Sequence, residues 1–262
     1  MAQIRRLSRA LRTPRRLSEV WLSRRVTPDW YTLLSRYLSE GFNPFSVNLA
    51  SGAFEFREKT DVATFWQVFV RGIYPVHASD RFIIDAGANI GTFTLYALLL
   101  NRECRVTAVE PCSPTFERLR GVLEIHQVAS RCNLVNAALG GSEGETTIES
   151  SGPSQFRRAG YGTQPVREVT LASVMPRDGD VDLLKMDIEG SEYDTFESAD
   201  DGVLSRIKRI VLEYHPSRDS RDRWLDLKGR LTAAGFGVTS EWDDGAGYGV
   251  AWLARGALHK SR

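Results

Sequence analysis

The sequence predicts an α/β fold: a seven-stranded, mostly parallel sheet ending in an antiparallel hairpin, preceded by an N-terminal helical extension. Three observations carry this. Residues 82–99, FIIDAGANIGTFTLYALL, pass from an apolar strand pattern through a glycine turn into a helical pattern. From Arg81 onward, strand-length apolar runs alternate with amphipathic helical ones, as in a parallel sheet covered by helices. Near the C-terminus, two strand patterns flank DDGAGYG, which is hairpin chemistry.

Three regions follow from composition and periodicity: a basic amphipathic extension (1–27), a helix-and-hairpin cap (28–76) and the sheet domain (77–262). In residues 1–25, Ile4, Leu7 and Leu11 recur at helical spacing opposite arginines, and Pro14 is expected to break the run before Leu17, Val20 and Trp21 resume it. Eight arginines and one acid, Glu19, fall in these 25 residues. The readings open for this segment are a surface helix touching anionic lipid or an acidic partner, a mitochondrial transit peptide, and a solvated tail.

TPDWYTLLSRYLSE reads as a short helix ended by Gly41, and FSVNLA with AFEFRE as a hairpin turned at Ser51-Gly52. Thr60 or Asp61 can cap a helix whose apolar face is Val62, Phe65, Trp66, Phe69 and Val70. That region is expected over the strand ends, shaping the substrate side, with its aromatics in the core. The sheet strands are read at 82–85, 105–110, 132–136, 182–187, 207–213, 236–241 and 248–254. Helices are read near 90–101, 113–127, 190–198 and 219–233. Residues 151–166, rich in Gly, Ser, Pro and Gln, read as a loop.

Bulk properties exclude some classes. A net charge of +1 argues against a nucleic-acid partner. Three cysteines, Cys104, Cys112 and Cys132, are odd in number and lack metal-ligand spacing, so a reducing, cytoplasmic setting is expected. No apolar run approaches a membrane span, and no signal-peptide core is seen.

The glycine turn points to a nucleoside cofactor, because it lets backbone and a helix N-terminus approach a ligand closely. VTAVEP, about 25 residues beyond Asp85, ends in Glu110, where an acid can hold a ribose. Dinucleotide binders use G-x-G-x-x-G, but here the run is D-A-G-A-N-I-G, with Asn89 where a pyrophosphate would crowd the chain. Asp85 would repel that pyrophosphate and favour the α-amino group and sulfonium of S-adenosyl-L-methionine (SAM). Asp85, Gly87, Asn89, Gly91 and Glu110 are therefore the candidate cofactor residues.

The segments IDAGANIGTFTLYA, VTAVEPCSPTFERL, NAALGG and LLKMDIEGSEYDTFE, in this order, resemble the FkbM family of SAM-dependent methyltransferases. The resemblance spans about residues 74–215 and implies the class I methyltransferase (Rossmann-like) fold. It also implies methyl transfer to a hydroxyl of a sugar, glycolipid or polyketide-type acceptor. Carried over by position, it implies that Asp85, Gly87, Asn89 and Gly91 cradle the methionine end and that Glu110 takes the ribose hydroxyls. It further implies that Asn136 and Ala137 lie by the adenine, that Asp187 faces the reacting end, and that Glu189, Glu213 and His215 stand on the acceptor side.

An alcohol is a poor nucleophile, so a base should take its proton as the C–O bond forms. His215 suits this by its near-neutral titration, with Glu189 and Asp187 as rivals. Glu213 could instead bridge to Lys185 or Arg209, and Glu192 could simply favour a helix N-terminus. Asp187, Glu189, Glu213 and His215 could also hold Mg²⁺. No Asp-Asp doublet stands at the fifth strand to support that, so no metal is expected. The competing functions are a NAD-linked reductase on the same sheet, a non-catalytic SAM-binding protein and, more weakly, a nucleic-acid methylase.

Overall fold

The computed structural model describes residues 14–148, 162–216, 222–245 and 247–256. Helix α1 (Pro14–Val26) and α2 (Trp30–Leu38) lead to a hairpin of β1 (Phe45–Leu49) and β2 (Gly52–Phe56). Helix α3 (Lys59–Phe65) continues into a π-helical turn, Trp66–Val70. The sheet domain then runs β3 (Phe82–Ala86), α4 (Thr92–Leu100), β4 (Arg105–Val109), α5 (Ser113–Ile125) and β5 (Cys132–Val135). After β6 (Ala138–Gly140), β7 (Gly144–Ile148), β8 (Gln164–Thr170) and the short α6 (Leu171–Val174) come β9 (Leu183–Met186), α7 (Glu192–Ser198) and α8 (Asp201–Ser205). The chain closes with β10 (Arg209–Tyr214), α9 (Asp222–Ala233), β11 (Phe236–Asp243) and β12 (Gly249–Arg255).

Seven strands form one sheet in the order β11-β12-β10-β9-β3-β4-β5. β3, β4, β5, β9 and β10 are mutually parallel, and β12 pairs antiparallel with both β10 and β11. The order reverses between β3 and β9, so ligands are received at the carboxyl ends of those two strands. This is the class I methyltransferase fold that the sequence predicts.

Strand alternation divides the core into two faces. Ile83, Val106, Leu183 and Val211 point to a cluster shared with α4, α5 and the cap region. Ile84, Val109, Leu184 and Leu212 point to a second cluster shared with α7 and α9. The cap belongs to the first: Phe54, Phe56 and Phe65 are fully buried, with ring centroids 4.9–5.2 Å apart. Val62, Phe65, Trp66 and Val70 are core residues, as their spacing predicts.

Two of the expectations need correction, the cap of α3 and the loop over 151–166. Pro14 stands at the start of α1, where its missing N–H costs nothing. Residues 1–13, including Ile4, Leu7 and Leu11, lie outside the described residues. Glu58, not Thr60 or Asp61, is the N-cap of α3. Asp61 serves from three residues inside, its carboxylate accepting from the backbone N–H of Glu58 at 3.1 Å. The loop predicted over 151–166 falls outside the described residues up to 161, but its last three residues belong to β8, which joins β6 and β7 in a small separate sheet.

Candidate active site

A cavity of about 480 Å³ opens at the carboxyl ends of β3, β9 and β10. That volume lies within the range of small-molecule sites. Its floor is the β3–α4 turn, contributing Gly87, Ala88, Asn89 and Thr92; one side is acidic, with Asp187, Glu189, Glu213 and His215; the cap supplies Thr64, Gln67 and Tyr74. The cap thus shapes the cavity, as its position in the sequence predicts.

The turn is built from left-handed residues: Gly87 at φ 75°, Asn89 at φ 49° and Gly91 at φ 85°. A Cβ on Gly87 would lie 1.8 Å from the carbonyl oxygen of Asp187, so only glycine lets the turn close against the end of β9. A Cβ on Gly91 would lie 2.4 Å from Leu119 Cδ1 in α5. Gly91 thus secures helix packing and is absent from the cavity wall.

The amides of this turn are already engaged. Gly87 N and Ala88 N donate to the Val109 carbonyl at 3.0 and 2.9 Å, and Gly91 N to the Ala88 carbonyl at 2.8 Å. Asn89 N donates to Glu110 Oε2 at 3.0 Å. A pyrophosphate would find no donors among these four, whereas a cation would meet carboxylates. The site fits a sulfonium cofactor and not a dinucleotide.

Glu110 is held at the end of β4 by Asn89 N and by Cys112 N, which donates to Oε1 at 2.9 Å. Burial raises its carboxyl to about 7, against the pull of the two amides. Each oxygen keeps acceptor capacity for a ribose hydroxyl. Asn136 lies next to it, donating to the Glu110 and Pro111 carbonyls at 2.8 and 3.1 Å. Ala137 is fully buried. Glu110, Asn136 and Ala137 lie outside the wall of the large cavity, along the β4–β5 end of the sheet.

Asp85, expected at the methionine end, has no exposed surface. Its Oδ2 accepts from Thr94 Oγ1 at 2.6 Å, and its Oδ1 lies 3.2 Å from Lys185 Nζ. The reason is register: Asp85 pairs with Lys185 across parallel β3 and β9, beneath the turn. Lys185 donates to the Gly87 carbonyl at 2.7 Å, so Asp85 supports the turn through a buried cation.

The acidic wall joins two strand ends. Asp187 follows β9, and Glu189 takes a left-handed φ of 55°. His215 follows β10, its Nε2 3.5 Å from Glu189 Oε2 and 3.8 Å from Asp187 Oδ1. Its Nδ1 lies 3.4 Å from Glu192 Oε1. Burial opposes a charge on His215, but Glu192, Glu189 and Asp187 together outweigh it and raise the imidazole to about 9. Asp187 is raised to about 8 by desolvation and by Glu213, against Lys185 and His215. Asp187, Glu189 and His215 each bring one ligand atom within 4.8 Å of the others, a spacing that a divalent cation could bridge.

Glu192 does more than favour a helix end. Fully buried, it accepts from Gly190 N and His215 N, both at 2.7 Å, and so ties the β9 and β10 loops together. Glu213 does not pair with Arg209, which binds Asp80 at 2.6 Å. Instead, Tyr74 and Tyr248 donate their hydroxyls to its two oxygens, Tyr248 at 2.8 Å. These tyrosines were not legible as site residues, because each reaches Glu213 from a distant segment with no local motif. Lys185, expected as a possible bridge partner of Glu213, instead lies 3.2 Å from Asp85 Oδ1.

Fold, cavity and turn chemistry define a class I methyltransferase whose cofactor is SAM. The chain matches the FkbM methyltransferase domain over residues 85–238 and belongs to that family. Among its relatives, Methyltransferase 1 of Beauveria bassiana is 27% identical over 237 residues, covering 80% of this chain and 91% of that protein. The 31-O-demethyl-FK506 methyltransferase FkbM of Streptomyces tacrolimicus is 26% identical over 247 residues, covering 79% and 90%. A crystal structure of methyltransferase FkbM from Methylobacillus flagellatus, 16% identical, superposes with a TM-score of 0.49 over 91% of this chain and 59% of that one.

Proposed function

We propose that this protein is an O-methyltransferase acting on a hydroxyl of a sugar, glycolipid or polyketide-type acceptor. The observation that carries this is His215 held beside Asp187 and Glu189 at the ends of neighbouring strands, in the wall of a cavity that the cap also lines. The FK506 relative is named for methylation at an oxygen, which supports the same chemistry.

SAM supplies a methyl group on a sulfonium, open to in-line displacement. The chain's task is to align the acceptor, exclude water and move one proton. Glu110 is assigned to the ribose hydroxyls, Asn136 and Ala137 to the adenine side, and the Gly87–Asn89 backbone with Asp187 to the methionine end. His215 takes the proton from the acceptor hydroxyl as the new C–O bond forms, with Glu189 holding the resulting imidazolium. Glu213, fixed by Tyr74 and Tyr248, lines the acceptor side with Thr64 and Gln67.

The setting is cytoplasmic on this reading, which the free thiols of Cys104, Cys112 and Cys132 support. Among the described residues, no helix is long and apolar enough to cross a membrane. The test is transfer of labelled methyl from SAM into hydroxylated acceptors, with mass spectrometry of host glycans and lipids seeking products 14 daltons lighter in a deletion strain. Labelled acceptor from Asp187→Ala at the wild-type rate would overturn the site, and transfer only to nitrogen or carbon would overturn the chemistry.

A further inference from the structure

The N-terminal helices carry a surface that the methyl-transfer site does not use. Helix α1 has one acid, Glu19, and it points inward. Its Oε1 accepts from Arg71 Nε at 2.8 Å and its Oε2 from Trp66 Nε1 at 3.2 Å. Ser23 and Thr27 are buried on the same side. The opposite face presents Trp21, Arg24 and Arg25, at helical spacing.

That face is a contiguous strip of rings and cations. Trp21 is 53% exposed, and the guanidinium of Arg25 sits 3.6 Å from its ring centroid. Arg24 lies 5.3 Å from the ring centroid of Trp30, which meets Tyr31 edge-on at 5.8 Å. Tyr31 is 59% exposed. Among the described residues, neither Arg24 nor Arg25 forms an ion pair with a carboxylate. Glu19 is turned inward and Asp29, beside Trp30, is engaged by Asn48, whose backbone N–H and Nδ2 donate to its Oδ2 at 2.7 and 2.9 Å, so Arg24 and Arg25 give this face its positive charge.

We infer that this face, Trp21, Arg24, Arg25, Trp30 and Tyr31, docks the protein on an anionic phospholipid bilayer. Trp and Tyr rings settle at headgroup depth, apolar body inward and polar edge outward. Arginines beside them meet lipid phosphates, and clustered cations of this kind bind anionic lipid surfaces. A nucleic-acid duplex would use the arginines through its phosphates but would leave Trp21 and Tyr31 against water. The whole-chain charge of +1 provides no wider field for a polyanion. The patch stands on described residues alone; Arg5, Arg6, Arg9 and Arg12 lie outside them and are not needed for it.

The test is co-sedimentation of the full chain with phosphatidylcholine vesicles, with and without phosphatidylglycerol. Binding is expected only where phosphatidylglycerol is present, and should weaken as salt rises. Arg24→Glu with Arg25→Glu should cut partitioning at least tenfold, and Trp21→Ala with Tyr31→Ala should also cut it, on the order of tenfold. Heat of SAM binding, measured on each variant, reports an intact fold independently of lipid. Equal binding to neutral vesicles, no binding to either, or wild-type partitioning by both double variants would overturn the inference. Tighter retention on RNA or DNA than on anionic vesicles would also overturn it, in favour of nucleic acid.

Discussion

Asp85 and Lys185 sit at paired positions on parallel strands, and their side chains meet at 3.2 Å inside the sheet. Neither side chain is more than 5% exposed. Lys185 stays charged there because Asp85, Asp187 and Glu213 together outweigh its desolvation. It spends that charge on the Ala86 and Gly87 carbonyls, which shape the cofactor turn.

Removing one partner should therefore be worse than removing both. Lys185→Met leaves a carboxylate buried without its cation and should cost about 3–5 kcal/mol in chemical denaturation. Asp85→Asn combined with Lys185→Met should recover a substantial part of that loss. A double variant no more stable than Lys185→Met would show that the pair is not coupled.

Glu110 should act on binding and not on chemistry. Glu110→Ala removes a charge-assisted acceptor of the ribose and should weaken SAM affinity about 10- to 100-fold, or about 1.5–3 kcal/mol. Calorimetry checks this, and an unchanged dissociation constant would move the ribose elsewhere.

Turnover should rise with pH from neutrality to about 9, because His215 must lose its proton before it can accept one and its imidazole is raised to about 9. His215→Gln should lower the rate by about 100-fold or more and flatten this rise. Stability should run the other way. The folded state holds the His215 proton more tightly than the unfolded chain, so this contribution is complete below 6.5 and lost as pH climbs through about 9. Asp187, raised from 3.8 to about 8, has the same sign. Melting temperature should thus fall between pH 6.5 and 9 while activity climbs; a melting temperature that rises there would contradict the protonated His215.

The proposed chemistry needs no metal. In it the Asp187–Glu189–His215 group moves one proton, with neutral His215 as the base and no step assigned to a cation. Turnover after EDTA treatment should equal the untreated rate. Loss of activity that Mg²⁺ or Mn²⁺ restores would turn these three residues into a metal centre.

Tyr74 and Tyr248 each donate to one oxygen of Glu213, so on the proposed function Tyr248→Phe should raise the KM for acceptor severalfold while leaving SAM affinity unchanged. Equal changes for both ligands would place Tyr248 outside the acceptor side.

What the sequence disclosed depended on how local each signal was. The seven sheet strands were legible because apolar runs such as Phe82–Ala86 and Arg209–Tyr214 are bounded by turn or helix chemistry within a few residues. The acidic cluster was legible because D-I-E and E-Y-H end adjacent strands. Asp85 was misplaced because its environment is set by Lys185, 100 positions away, through a register that no local pattern specifies. Tyr74 and Tyr248 were missed for the same reason. The small β6–β8–β7 sheet was hidden in short segments, one of them starting within a stretch whose composition reads as loop.

The grip of Glu19 on Trp66 reaches beyond stability. Trp66 begins the π-helical turn whose Gln67 and Val68 wall the cavity, so a helix remote from the strand ends sets the position of one side of the chamber. On the proposed function, repacking at Glu19, Arg71 or Trp66 should shift the Gln67–Val68 wall of the cavity in which the acceptor is placed. Acceptor choice would then be tunable from residues outside the cavity wall, since neither Glu19 nor Arg71 lines it.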